Sequence, residues 1–139
     1  MVKRGCTGLA LILALILVAG CSDDDSGSSS DVCTGGKECV CDHDREITCD
    51  ALNHAGCQFN CQAGASCVFH CAGGGCQTNC LGASSCVTEC PGNSCQQTCD
   101  SAVASCRIEA CSSTCSLQCG GAAECDLSCS ELTGGCSKT

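Results

Sequence analysis

Cysteine is the residue type in this sequence whose number and spacing indicate a chemical role. The 139-residue chain contains 23 cysteines, and from Cys57 onward most of them lie in pairs separated by three residues. Cysteines form disulfide bonds in oxidising compartments, and as thiolates they bind zinc and copper(I). One sulfur cannot do both, because a disulfide sulfur offers no thiolate to a metal. The elements that carry the pairs therefore decide which chemistry is available.

The cysteine pairs belong to an internal repeat. The sequence Gly-Cys-Gln-x-Asn-Cys occurs at residues 56–61 and again at 75–80. A second kind of unit, Ser-Cys-Val, begins at Ser66 and again at Ser85, which is the same offset. Two unlike units thus alternate, and one of each makes up a repeat with a period of about 19 residues, close to that of known solenoid repeats.

Each unit predicts a short β-strand. Because successive side chains of a strand point to opposite faces, Cys57, Phe59 and Cys61 share one face, while Gln58 and Asn60 lie on the other. The links between units are rich in Gly, Ala and Ser, which favour turns. We therefore predict an all-β, small disulfide-rich repeat protein, a flattened β-solenoid of about four coils with two short strands per coil. The central inward positions are Phe59, Phe69, Thr78, Thr88, Gln97, Ile108, Leu117 and Leu127.

A core of large side chains is not available to this chain, which has two Phe, no Trp and no Tyr. Disulfides would have to supply the stability that burial of apolar surface gives to most domains. In architecture alone, the arrangement resembles the short-coil solenoids of cysteine-rich insect antifreeze proteins and of calcium β-rolls. Ice binding is not indicated, because no regular two-column array of threonines follows the repeat.

Strand geometry restricts how the cysteines can pair. Residues four apart in one strand are about 13 Å from each other, whereas a disulfide needs Cα atoms closer than about 7 Å. The natural partners therefore lie across a turn, although bonds between neighbouring coils stay open as an alternative. The candidate bridges are Cys61–Cys67, Cys71–Cys76, Cys80–Cys86, Cys90–Cys95, Cys99–Cys106, Cys111–Cys115, Cys119–Cys125 and Cys129–Cys136.

The number of cysteines available for pairing is odd. Of the 23, Cys6 and Cys21 lie in the N-terminal region, which leaves 21 from Cys33 onward. An odd number implies at least one free thiol or an intermolecular bond. We expect it in the segment that precedes the repeat, which contains Cys33, Cys39, Cys41 and Cys49.

Metal binding is the alternative chemistry. Bacterial copper-storage proteins carry similarly spaced cysteine pairs on helices, where residues four apart are neighbours, but these units contain few strong helix formers. Cys39, Cys41 and His43 form the most ligand-like short stretch and could hold one zinc together with Cys33 or Cys49. We favour a disulfide-bonded cap for this segment and keep extracytoplasmic copper or zinc sequestration by thiolates as the alternative function.

No catalytic constellation is visible in the sequence. A cysteine nucleophile needs one reactive thiolate beside a base, and nothing distinguishes one cysteine from its many equivalents. The histidines are His43, His54 and His70, and there is no glycine-rich phosphate loop. We expect neither an enzyme nor a cofactor.

The N-terminus predicts export. Lys3 and Arg4 precede an apolar run over residues 9–18, which is too short for a membrane span and typical of a secretory signal. The junction Val18-Ala19-Gly20-Cys21 resembles the lipobox of bacterial lipoproteins. That resemblance implies cleavage before Cys21 and attachment of lipid to its sulfur, with acyl chains anchoring the protein in a membrane. The polar residues after Cys21 resemble those that direct such lipoproteins to the outer membrane and the cell surface.

These observations divide the chain into four parts: a signal peptide at 1–20, a disordered acidic and Ser-rich tether at 21–32, an irregular Cys-rich cap at 33–48 and the repeat domain at 49–139. Four basic and 15 acidic residues remain after the leader, a net charge of −11, which argues against nucleic acid as a partner.

The expected role is structural, adhesive or binding at the cell surface, with an envelope protein or a glycan as partner and self-association possible. One face of the solenoid is rich in amides, beginning with Gln58 and Asn60. Such a face is either solvated, with stacked amides holding neighbouring coils together, or a flat surface for binding and assembly.

Overall fold

The computed structural model describes residues 31–50, 56–130 and 135–139, and these residues form strands, turns and links. The signal peptide, the lipobox and residues 21–30 of the tether lie outside the described residues. No helix long and apolar enough to cross a membrane occurs among the residues that are described. The strands are β1 (Asp31–Thr34), β2 (Glu38–Cys41), β3 (Arg45–Asp50), β4 (Gln58–Cys61), β5 (Ser66–His70), β6 (Gln77–Cys80), β7 (Ser85–Glu89), β8 (Gln96–Cys99), β9 (Ser105–Cys111), β10 (Ser116–Gln118), β11 (Glu124–Cys129) and β12 (Ser137–Lys138).

The chain alternates between two parallel sheets as it winds. The odd-numbered strands form one six-stranded sheet, sheet A, and the even-numbered strands form the other, sheet B. Neighbours within a sheet are one coil apart, so that Cys67 of β5 pairs with Cys86 of β7, and Cys86 pairs with Cys106 of β9. The fold prediction is confirmed: the protein is an all-β solenoid with two strands per coil and a spacing of about 19 residues.

The solenoid begins earlier than the sequence indicates. Segment 33–48, expected to be an irregular cap, contains β2 and parts of β1 and β3, and these strands join the same two sheets. The solenoid has about five coils rather than four. The first coil is hard to recognise because Arg45, not a cysteine, pairs with Cys67, and the offset between these two residues is longer than in the later coils.

A thin core fills the space between the sheets. Cysteines and the central side chain of most strands are buried there, and the largest of these side chains are Phe59 and Phe69. The two rings stack with their centroids 4.4 Å apart and their planes inclined by 15°. Seven of the eight predicted inward residues are buried, and Leu127 in the last coil is half-buried. The core is therefore thin, because most strands contribute a single central side chain to it between their cysteines.

The turns stack on one another as the strands do. The backbone N–H of Gly75 donates to the carbonyl of Asn93 in the next coil over 2.8 Å, and Gly64 donates to Gly82 over 2.9 Å. Gly74 has a φ of 74°, and a Cβ at this position would collide with the backbone of Asn93. Glycine is required there both for its backbone conformation and for the close approach of the next coil.

Candidate functional site

Two columns of disulfides close the edges of the flattened solenoid. Each bridge spans one turn, with Cα atoms 5.8–6.6 Å apart, which lies within the normal range for a disulfide. The first column spans the turns from sheet A to sheet B and contains Cys33–Cys39, Cys49–Cys57, Cys71–Cys76, Cys90–Cys95, Cys111–Cys115 and Cys129–Cys136. The second column spans the opposite turns and contains Cys61–Cys67, Cys80–Cys86, Cys99–Cys106 and Cys119–Cys125.

The eight bridges expected from the sequence are among these pairs, and the structure adds two in the first coils, Cys33–Cys39 and Cys49–Cys57. Successive bridges of a column contact each other: the sulfurs of Cys90 and Cys115 are 3.9 Å apart, and those of Cys111 and Cys136 are 3.8 Å apart. The sulfurs thus line both edges of the core as well as cross-linking it.

The ligand-like stretch of the sequence does not come together as one site. Cys39 is bonded to Cys33, Cys41 is buried at the end of β2, and the His43 side chain is 67% exposed. In the described part of the chain, every group of three potential metal ligands within 4.8 Å consists of cysteines alone. The zinc-ligand set of Cys39, Cys41 and His43 is therefore not assembled here.

The His43 ring instead contacts the adjacent carboxylate. Its Nδ1 lies 2.7 Å from Oδ1 of Asp42. This hydrogen bond, followed by one from the backbone of Asp42 and by the charge of Arg45, holds the pKa of Asp42 below its usual range. A lowered carboxyl pKa favours the folded state at neutral pH, and that contribution is lost as the pH falls through the folded-state value.

One cysteine, Cys41, lies outside the two columns and next to the Cys61–Cys67 bridge. Cys41, Cys61 and Cys67 are all buried, and their three sulfurs lie within 4.8 Å of one another. Cys67 has a disulfide-compatible separation from both others, with Cα distances of 6.3 Å to Cys41 and 6.1 Å to Cys61. The repeat alone predicts Cys61–Cys67, but only the strand register shows that Cys41 lies beside this bridge.

The outer face of sheet B carries two rows of polar side chains. Neighbouring strands of a sheet are about 4.8 Å apart, so each row presents one hydrogen-bonding group per coil at that interval. A shallow depression of about 330 Å³ follows these rows over β4, β6 and β8 and extends to Glu38 of β2. One row contains Gln58, Gln77, Gln96 and Ser116, and the other contains Asn60, Asn79, Thr98 and Gln118.

These amides do not hold neighbouring coils together. In the described part of the chain, the side chains of Gln58, Gln77 and Asn79 make no hydrogen bond to another residue, and that of Asn60 reaches only Glu38, over 3.5 Å. The prediction that stacked amides on this face hold neighbouring coils together is therefore wrong. The amides of Gln58, Gln77 and Asn79 are available to a partner, whereas the hydroxyl of Ser116 accepts a hydrogen bond from Ser137 over 3.2 Å.

The outer face of sheet A is different, because several of its charged groups pair with each other, although Glu109 and Asp126 make no ion pair in the described part of the chain. Nδ1 of His70 lies 2.8 Å from Oε2 of Glu89, and its Nε2 lies 3.5 Å from Oε2 of Glu46. Arg107 contacts Glu124 over 3.3 Å. Such partly exposed pairs contribute little to stability, but they occupy several polar groups of this face.

Comparison with protein-family models, with curated proteins and with solved structures finds no match to this chain. Function therefore has to be argued from the residues themselves. The many disulfides are consistent with an exported protein, because such bonds form and persist in oxidising compartments.

Proposed function

We propose that this protein is a lipid-anchored binding module of the bacterial cell envelope, and that the polar face of sheet B binds a glycan. The observation that carries the proposal is the pair of outward rows with unengaged amides, among them Gln58, Gln77 and Asn79. Each amide both donates and accepts hydrogen bonds. A chain of hydroxyl-bearing sugars offers complementary groups at regular intervals.

The composition of this face favours a glycan over a protein partner. The centres of protein–protein interfaces are enriched in aromatic residues and Met, whereas both aromatic side chains of this chain, Phe59 and Phe69, are buried in its core. From β4 onward the rows consist of neutral amides and hydroxyls, and the one acidic residue in register with them is Glu38 of β2. The disulfide columns keep them at fixed spacing, which lowers the entropic cost of binding.

The anchor follows from the lipobox-like junction at Cys21. Lipidation there, with several acyl chains, would hold the protein stably in a membrane. The polar segment after Cys21 favours the outer membrane and display at the cell surface. The solenoid would then be displayed beyond the bilayer at the end of this segment.

Metal sequestration by thiolates remains the alternative, and it depends on reduced cysteines. Bridges across the turns engage 20 of the 21 cysteines from Cys33 onward, and a sulfur in a bridge is not a thiolate ligand. This favours a structural role for the sulfurs.

A binding experiment with the full-length protein tests the proposal. Immobilised oligosaccharides and purified peptidoglycan are the probes, and the dissociation constant is measured for wild type and for the double variant Gln77→Ala/Gln96→Ala. Loss of two hydrogen bonds at about 0.5–1.5 kcal/mol each predicts binding weakened by about 5- to 150-fold.

The matched control is Thr48→Ala/Ser128→Ala, which removes two neutral polar side chains from the outer face of sheet A and is expected to bind as wild type does. Absence of binding to every probe, or equal affinity for both double variants, would contradict the proposed function.

A further inference from the structure

We propose that Cys41, Cys61 and Cys67 form a thiol–disulfide exchange site, in which Cys67 is bonded to one of the other two and the remaining cysteine keeps the thiol. The site lies at the N-terminal end of the second disulfide column, between the first two coils. Its reactants are the protein's own sulfurs, so no external oxidant or reductant is needed.

The register explains why one sulfur is left over. In each later coil of this column, a cysteine that ends a sheet B strand, or follows it directly as Cys119 does, pairs across the turn with a cysteine of the next sheet A strand. Cys41 holds the first of these positions, since it is aligned with Cys61. The second position, aligned with Cys67, is occupied by Arg45. Cys41 therefore has no partner in its own coil.

Arg45 fills the place of the missing cysteine with a different set of contacts. Its guanidinium contacts the carboxylate of Asp31 and donates to the carbonyl of Val40 over 2.8 Å and to Asp42 over 2.7 Å. The turn from β2 to β3 is thereby closed by hydrogen bonds and ion pairs instead of a bridge. Cys41 stays buried beneath it, beside the bridge of the next coil.

The number of cysteines and the distances between their Cα atoms then define the site. The 21 cysteines from Cys33 onward make ten bridges and leave one thiol, because a sulfur forms only one disulfide. The Cα atom of Cys67 is 6.3 Å from that of Cys41 and 6.1 Å from that of Cys61, so both bonds are sterically allowed. All three sulfurs lie within 4.8 Å of one another.

The exchange step involves only the sulfurs of Cys41, Cys61 and Cys67, and one disulfide breaks as another forms. The thiolate of Cys41 attacks the sulfur of Cys67, the Cys67–Cys61 bond breaks as the Cys67–Cys41 bond forms, and Cys61 leaves as a thiolate that takes up a proton. No net oxidation occurs. The product bridge links the first coil to the second, over a sequence separation of 26 instead of 6.

Hydrogen bonding identifies the resting arrangement. The sulfur of Cys41 lies 3.2 Å from the carbonyl oxygen of His43, whereas that of Cys61 is 3.7 Å from the carbonyl oxygen of Ala65. A thiol at Cys41 therefore has the closer acceptor. Cys61–Cys67 is then the resting bridge, as in the other coils of the column.

Mapping of thiols in two serine variants tests this inference. Full-length wild type, Cys61→Ser and the matched control Cys80→Ser are produced in an oxidising compartment and denatured in the presence of N-ethylmaleimide, which alkylates free thiols. The alkylated cysteines are then mapped over Cys33–Cys136. We expect one labelled cysteine in wild type. Cys61→Ser should have none, because Cys41 bonds Cys67. Cys80→Ser should have two, Cys41 and Cys86, because Cys86 has lost its partner.

Two labelled cysteines in Cys61→Ser, at Cys41 and Cys67, would overturn the proposal. Wild type provides a second readout that does not depend on how the variant folds. After acid quenching, peptides linked through Cys41–Cys67 should accompany the more abundant Cys61–Cys67 peptides. A single linkage at Cys67 in wild type would equally contradict exchange.

Discussion

Chemical reduction of the disulfides is expected to unfold the solenoid completely, without any denaturant. A bridge that closes a turn of about six residues stabilises the fold by about 2 kcal/mol in the chain-entropy model. A typical domain is stable by only about 5–15 kcal/mol in total. Loss of ten bridges removes more than this, and so thin a core cannot compensate. Far-ultraviolet circular dichroism during titration with a phosphine reductant measures the loss of β-structure.

The control is the oxidised protein under the same conditions, which should keep its β-signal and resist proteolysis. Reduced chain blocked with iodoacetamide should be digested rapidly, since every turn becomes accessible once the coils separate. A reduced and blocked chain that kept the β-signal of the oxidised protein would show that burial alone stabilises the fold, contrary to this interpretation.

Phe59→Ala is expected to be the most destabilising change that leaves every cysteine in place. Its ring is buried and stacks on that of Phe69 across the space between the sheets. Removing a buried aromatic side chain costs about 3–5 kcal/mol, because apolar contacts are lost and a cavity remains. The free energy of unfolding in guanidinium chloride, with all bridges intact, measures the effect.

Leu81→Ala is the matched control, because Leu81 is a large apolar residue that is 51% exposed. Its truncation should change the free energy of unfolding by no more than about 0.5 kcal/mol, as is usual for surface substitutions. Equal effects of Phe59→Ala and Leu81→Ala would mean that the stacked pair contributes nothing beyond the disulfides.

The repeat domain was predictable because two simple rules act in every coil. Alternation of side chains placed Phe59 and Gln97 inward, and both are buried. The length of a strand forbids bonding within a cysteine pair, which directs bridges such as Cys71–Cys76 across turns. Both rules need only local spacing, which a single sequence contains.

The first coil and the proximity of Cys41 to Cys61 and Cys67 were not predictable, because both depend on register across coils. Arg45 interrupts the cysteine pattern, and its alignment with Cys67 becomes visible only when the strands are paired. The odd number of cysteines indicated a leftover thiol, but proximity of Cys41 to the bridge of the next coil is a tertiary property. Whether the amides of sheet B pair with each other also depends on side-chain geometry that spacing does not specify.

The two faces of the solenoid suggest a division of roles. On sheet A, charged groups such as His70 and Glu89 satisfy each other. On sheet B, the amides of Gln58 and Gln77 remain open in the part of the chain that the structure describes. Bridges at both edges hold these faces at a fixed separation. This asymmetry is why we propose sheet B as the binding face.

Our central proposal is that the cysteines stabilise the fold as disulfide bonds and do not store metal. Native mass spectrometry of the protein from an oxidising compartment, with and without thiol alkylation, tests it most directly. We predict one thiol among Cys33–Cys136 and no bound metal. Many thiols together with several copper or zinc ions would contradict the account and make metal sequestration the function.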